Sequence, residues 1–117
     1  MRMKGKRSLV AAAVAFTQIV LVTWWFENTL VVHVGIILTS VLLLATFGFK
    51  KPYVIMFLVT AISGFIAEAI VVTQGAWEYA TPEWLGLPLW LFLIWGSTGV
   101  MFTHFGAKVF ERYGTEK

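Results

Sequence analysis

Glu68 is set in an otherwise apolar run, Gly64-Phe65-Ile66-Ala67-Glu68-Ala69-Ile70. An ionisable side chain inside a membrane helix costs about 2.5–3.5 kcal/mol at the bilayer centre. Glu68 lies about five residues from the end of its run, or roughly 8 Å at 1.5 Å per residue. A carboxyl in such a place can hold and hand over a proton, as a general acid or a proton carrier does. It can equally be a packing group that hydrogen-bonds a neighbouring helix. His33 is the expected partner. It lies about four residues, or roughly 6 Å, inside the corresponding end of the preceding run. Matching depth does not make the two side chains face each other, and a single His between helices can also serve only as a hydrogen-bonding group.

Gln18 occupies the middle of the first apolar run, where its amide needs partners inside a bundle. It is a candidate ligand contact, with packing as the alternative. A second group of candidates lies in Gln74-Gly75-Ala76-Trp77-Glu78-Tyr79-Ala80-Thr81-Pro82-Glu83-Trp84-Leu85-Gly86-Leu87-Pro88. A solvated tether has no use for so many aromatic residues. Trp77, Glu78, Tyr79, Trp84 and Trp90 either anchor this stretch at a water–lipid boundary or cap a cavity between helices. His104 lies near the other end of its run, away from Glu68, and is expected to be structural or interfacial. With two His, no Cys and no carboxylates clustered at one depth, the pattern calls for no metal and no cofactor.

These residues are carried on four apolar segments, about 8–26, 29–49, 53–73 and 87–110. Each has roughly the 20 residues that cross a ~30 Å hydrocarbon core. Of the 117 residues, 59% are hydrophobic and 13% charged. A soluble domain is about 25% charged, and one this small has too little interior for so much apolar surface. The expected fold is therefore an all-α membrane bundle of four transmembrane helices forming one domain, since helices satisfy their own backbone in lipid. The first segment has a basic start like a signal peptide. Its apolar run, however, extends to Trp24-Trp25-Phe26 with no small-residue cleavage site after it, so a retained helix is expected.

All nine Lys and Arg fall on one side of the bundle: Arg2, Lys4, Lys6, Arg7, Lys50, Lys51, Lys108, Arg112 and Lys117. The opposite links carry Glu27, Glu78 and Glu83. The positive-inside rule then expects both termini in the cytoplasm and the long link outside, in the plasma (inner) membrane of the cell. Trp24, Trp25, Trp77, Trp84 and Trp90 would form an outer aromatic belt. The basic residues mark topology, so nucleic acid is not an expected partner. Gly96, Gly99, Thr103 and Gly106 share one helix face, as do Thr60, Gly64 and Glu68. Such small faces admit close helix approach, within the chain or in a homo-oligomer, which is the expected state alongside membrane lipids as partners.

From Glu68 to Gly96 the residues also carry a resemblance. Glu68 is followed by Gly75-Ala76-Trp77-Glu78-Tyr79, then Pro82, Trp84-Leu85-Gly86-Leu87-Pro88-Leu89-Trp90 and Trp95-Gly96. This quarter of the chain resembles a group of small, largely uncharacterised prokaryotic membrane proteins. More distantly it is similar to carotenoid-hydratase-type membrane proteins, in which an intramembrane Glu precedes a Gly-aromatic-Tyr loop and a Gly-x-Pro helix start. The chain is far shorter than those hydratases. The resemblance implies a buried apolar, isoprenoid-like ligand near Glu68, Trp77 and Tyr79. Three functions are thus expected in competition: an apolar lipid site centred on Glu68, a small oligomeric proton- or ion-coupled transporter or channel, and an accessory subunit of a membrane complex.

Overall fold

A computed structural model describes residues 4–114, all helix and connecting turns. Arg2 and Lys117 lie outside the described residues. Helix α1 runs Lys4–Trp24, α2 Thr29–Thr46, α3 Lys51–Thr73 and α4 Trp90–Tyr113. The Asn28 side chain starts α2 by accepting from the Val31 amide at 3.2 Å, the work of an N-cap. Pro52 occupies the first turn of α3, where its missing N–H costs nothing. Within their helices Thr39, Thr46, Ser63, Thr98 and Thr103 turn their hydroxyls back onto carbonyls three or four residues earlier, so these polar tips do not require external partners.

Two apolar core layers show how the helices alternate in direction. One joins Ala11 and Val14 of α1, Leu43 and Phe47 at the end of α2, Phe57 of α3 and Val100 of α4. The other joins Val32 and Ile36 of α2, Phe65 of α3, and Leu87, Trp90 and Leu91 at the start of α4. Between them lies a polar layer. The Gln18 amide donates to Thr39, Ser40 and Ser97 at 3.0, 3.3 and 3.2 Å, and the Ser40 and Ser97 hydroxyls are 3.1 Å apart. The first layer is the basic end of the bundle, where α1 starts and α4 ends. The second is the acidic end.

Helix α4 is the hub. It packs most extensively on α3 and also touches α2 and α1, whereas α3 has no comparable contact with either of the other two. Helices α2 and α3 are joined at their turn, but α3 packs on α4, whereas α2 divides its packing between α1 and α4. This explains the composition of α4. Helices α1, α2 and α3 are long and apolar enough to cross a membrane. Helix α4 is as long but carries Gly96, Ser97, Gly99 and His104, all buried, so its polarity points inward.

The small faces meet inside the chain. A Cβ on Gly96 would strike the Phe57 ring, and one on Gly99 would strike Thr60 and approach the Met56 carbonyl to 2.8 Å. Gly106 has open space around it. Two of the residues expected to serve a homo-oligomer are therefore already covered by α3.

The α3–α4 link is folded rather than loose. Trp84 and Leu87 exchange both backbone hydrogen bonds at 2.9 Å across Leu85 and Gly86, whose φ values are +54° and +77°. Two consecutive positive φ angles make the tight turn of a two-residue hairpin. Leu87 and Pro88 are buried at its exit. The residue before a proline avoids the helical region, so α4 begins at Trp90 rather than at the expected Leu87.

Candidate site at the acidic end

Glu68 sits on the last third of α3 and faces α4, as its spacing from Thr60 and Gly64 requires. Gly64, one turn earlier, leaves the space into which the Trp95 indole of α4 fits, and a Cβ there would overlap the ring. From that seat the Trp95 Nε1–H donates to Glu68 Oε2. The Tyr79 hydroxyl, arriving from the link, donates to Oε1. Each carboxylate oxygen thus has one neutral donor, and the carboxylate fixes the position of the phenol. Burial pushes the Tyr79 hydroxyl well above its ordinary value of 10, with the hydrogen bond to Glu68 and the charge of Glu68 adding to the shift. The Trp77 indole pulls the other way. Tyr79 therefore keeps its proton through the physiological range.

Tyr79 is also the wall between two open clefts. One, of about 600 Å³, is lined by Val72, Gly75, Trp77, Glu78, Tyr79, Pro82 and Gly86. The other, of about 360 Å³, is lined by Val22, Thr23, Phe26, Tyr79, Ala80, Thr81 and Trp90. The second is mostly apolar, with Phe26 and Trp90 as its large surfaces. Trp90 meets the Tyr79 ring edge-on, with centroids 6.2 Å apart.

Comparison with known proteins returned no matching family model, no significant match among curated proteins and none among solved structures. The site is accordingly read from its own geometry.

That geometry redistributes the expected residues. Glu68, Trp77, Glu78, Tyr79 and Trp90 gather around the two clefts or the group that divides them. His33 does not pair with Glu68. Its Nδ1 bonds the Thr29 carbonyl at 2.8 Å, and its Nε2 lies 3.1 Å from Glu83 Oε1. That last approach is within ion-pair distance but off the line of a hydrogen bond, so Nε2 is buried without an aligned partner. Glu83 Oε1 also accepts from the Leu89 amide at 2.9 Å, which places a carboxylate at the positive end of α4. His33 thus belongs to the anchor of the link.

Gln18 belongs to the polar layer and shares no hydrogen-bond partner with Glu68. It lines a separate cavity of about 150 Å³ with Ala15, Ile19, Val22, Ile94, Thr98 and Met101. Trp84 stacks on Phe65 at 5.8 Å, outside both clefts. Trp24, Trp25, Trp77 and Trp84 are exposed, but Trp90 is only 7% exposed and is part of the core, not of a belt.

Trp95 was missed as a site residue. The available signal was the pair Gly64 on α3 and Trp95-Gly96 on α4: a residue without a side chain, one turn from an acid in an apolar helix, invites a large donor from the facing helix.

Proposed function

We propose that the chain is an integral protein of the plasma membrane whose acidic end binds an apolar, lipid- or isoprenoid-like molecule. Three helices long and apolar enough to cross a bilayer support the membrane placement. So does the large apolar exposure on every helix, including Phe16, Leu38, Ile62 and Phe102. A monomeric soluble protein rarely leaves so much contiguous apolar surface in water. Helix α4 is the fourth crossing, with its small and polar residues turned toward the other helices. The positive-inside rule then sets both termini in the cytoplasm and the site at the outer boundary.

The observation that carries the binding reading is Tyr79. Its phenol is fixed by Glu68 and forms the common wall of two clefts, one of them mostly apolar. A mostly apolar cleft with one oriented polar group is the usual form of a small-molecule site. In this reading the apolar body of the ligand lies along Phe26 and Trp90, and its polar end meets the Tyr79 hydroxyl. Glu68 and Trp95 position that hydroxyl. A phenol and a carboxylate in contact can also move a proton to or from an alkene or hydroxyl, the chemistry that the resemblance to carotenoid-hydratase-type proteins implies.

Native mass spectrometry of protein released into mild detergent tests the reading. The wild type should carry a co-purified apolar molecule. Ala80→Trp, which fills the apolar cleft from an exposed position, and Tyr79→Phe, which removes its polar tip, should both release it. Undiminished retention by both variants would sink the proposal.

A further inference from the structure

The basic end holds a second, chemically different pocket. It is about 170 Å³ and is lined by Arg7, Tyr53, His104, Ala107, Lys108 and Glu111. Three helices build it: Arg7 from the start of α1, Tyr53 from the first turns of α3, and His104, Lys108 and Glu111 from successive turns of α4. Its floor is aromatic and rigid. Phe47 stacks on Tyr53 with centroids 4.4 Å apart and packs against His104 at 4.8 Å. His104 Nε2 is held by the Ser8 hydroxyl at 2.9 Å. The wall is cationic. Arg7 Nε is buried and has no hydrogen-bond partner among the described residues. A guanidinium nitrogen held out of water without a partner is costly, and it keeps the cation fixed beside the pocket it lines.

We propose that this pocket binds a phosphate group. Arg7 and Lys108 supply the charge, and Tyr53 supplies a hydroxyl donor. Its size suits such a group: 170 Å³ accommodates about five waters at ~30 Å³ each, the scale of a phosphorus with its four oxygens. A guanidinium fork matches phosphate oxygens in two-point contact, and a lysine adds a point charge. The surroundings draw anions as well, since Lys6, Lys50, Lys51 and Arg112 lie at the same end. Glu111 is the one lining group that opposes an anion. It is exposed, and Lys108 and Arg112 flank it in an adjoining groove, where it can turn away. On the proposed membrane placement the pocket lies at the cytoplasmic headgroup level, where basic pockets between helices take anionic lipid heads. The inference relies on that placement for the lipid source of the phosphate but not on the ligand proposed for the acidic end.

Binding to the full-length protein in detergent would be measured by native mass spectrometry and thermal shift, using dioctanoyl phosphatidic acid, dioctanoylglycerol and inorganic phosphate. Phosphatidic acid should bind and dioctanoylglycerol should not. Arg7→Gln and Lys108→Gln should each weaken binding about tenfold. Lys51→Gln, at the same end but outside the pocket, should stay within about twofold, since an exposed charge contributes little. Glu111→Gln should bind more tightly, a gain that misfolding cannot imitate. Competition by inorganic phosphate would assign the pocket to the ion itself, and its failure to compete would assign it to the lipid headgroup. Equal losses in Arg7→Gln, Lys108→Gln and Lys51→Gln, or no gain in Glu111→Gln, would overturn the proposal. So would equal binding of dioctanoylglycerol.

Discussion

At the residue scale, Glu68 acts here as an acceptor that holds two donors in place. This changes what its removal should do. Glu68→Leu strands the part-buried Trp95 N–H and Tyr79 O–H, at up to about 1–3 kcal/mol each where water does not replace the carboxylate. Glu68→Gln should cost less, because the amide oxygen still accepts from Trp95 and the Tyr79 hydroxyl can rotate to accept from the amide nitrogen. Thermal unfolding should therefore rank wild type above Glu68→Gln and Glu68→Gln above Glu68→Leu. A Glu68→Leu protein as stable as the wild type would refute the two-donor account. Burial of Tyr79, reinforced by the same bond, gives a pH dependence. The folded Tyr79 hydroxyl titrates above its ordinary value of 10. Its contribution should be whole below pH 10 and fade as pH rises through the elevated folded value. In Tyr79→Phe that alkaline loss should disappear, as followed by protease cleavage within the α3–α4 link.

Among the elements, α4 decides the fold through residues that look weak in sequence. Ser97, Gly96 and Gly99 make it the least apolar helix, yet they are its buried face. Gly99→Ala should cost about 1–3 kcal/mol, because Thr60 and the Met56 carbonyl occupy the space a methyl needs. Gly106→Ala meets nothing and should be neutral, or stabilising by up to about 1 kcal/mol through helix propensity. Equal effects of the two changes on thermal unfolding would contradict the α3–α4 packing. The helices themselves were legible in sequence, because long apolar runs bounded by Glu27-Asn28 and Lys50-Lys51-Pro52 leave few alternatives. That Glu68 shares a packed face with Thr60 and Gly64 was legible too, from the spacing of four, but not that this face meets α4. The anchoring role of Glu83 was not legible. It depends on how the link folds back, and that rests on Leu85 adopting a positive φ that its residue type does not advertise. His33 was assigned to the wrong acid for the same reason: depth along a helix says nothing about which loop residue comes down to meet it.

For the whole molecule, the two ends carry opposite charge and different pockets, a divided cleft with one mostly apolar half at one end and a cationic pocket at the other. The proposed orientation follows from Lys6, Arg7, Lys50, Lys51, Lys108 and Arg112 lying together. The absence of cysteine makes the chain a ready background for labelling. Single cysteines at Glu27 and Ala76 should react with a membrane-impermeant maleimide in intact cells, and one at Tyr113 only after permeabilisation. Reaction at Tyr113 in intact cells would reverse the orientation and move the Tyr79 site to the cytoplasmic boundary.

The central claim, an apolar ligand held against Tyr79, is tested most directly by photocrosslinking in native membranes with an isoprenoid probe carrying a diazirine on its apolar tail. Adducts should concentrate on the cleft wall formed by Phe26, Ala80, Thr81 and Trp90, and should vanish in Ala80→Trp. Adducts spread evenly over exposed apolar positions such as Leu38 and Ile62, and unchanged in Ala80→Trp, would show a probe dissolved in lipid around a protein that has no such site.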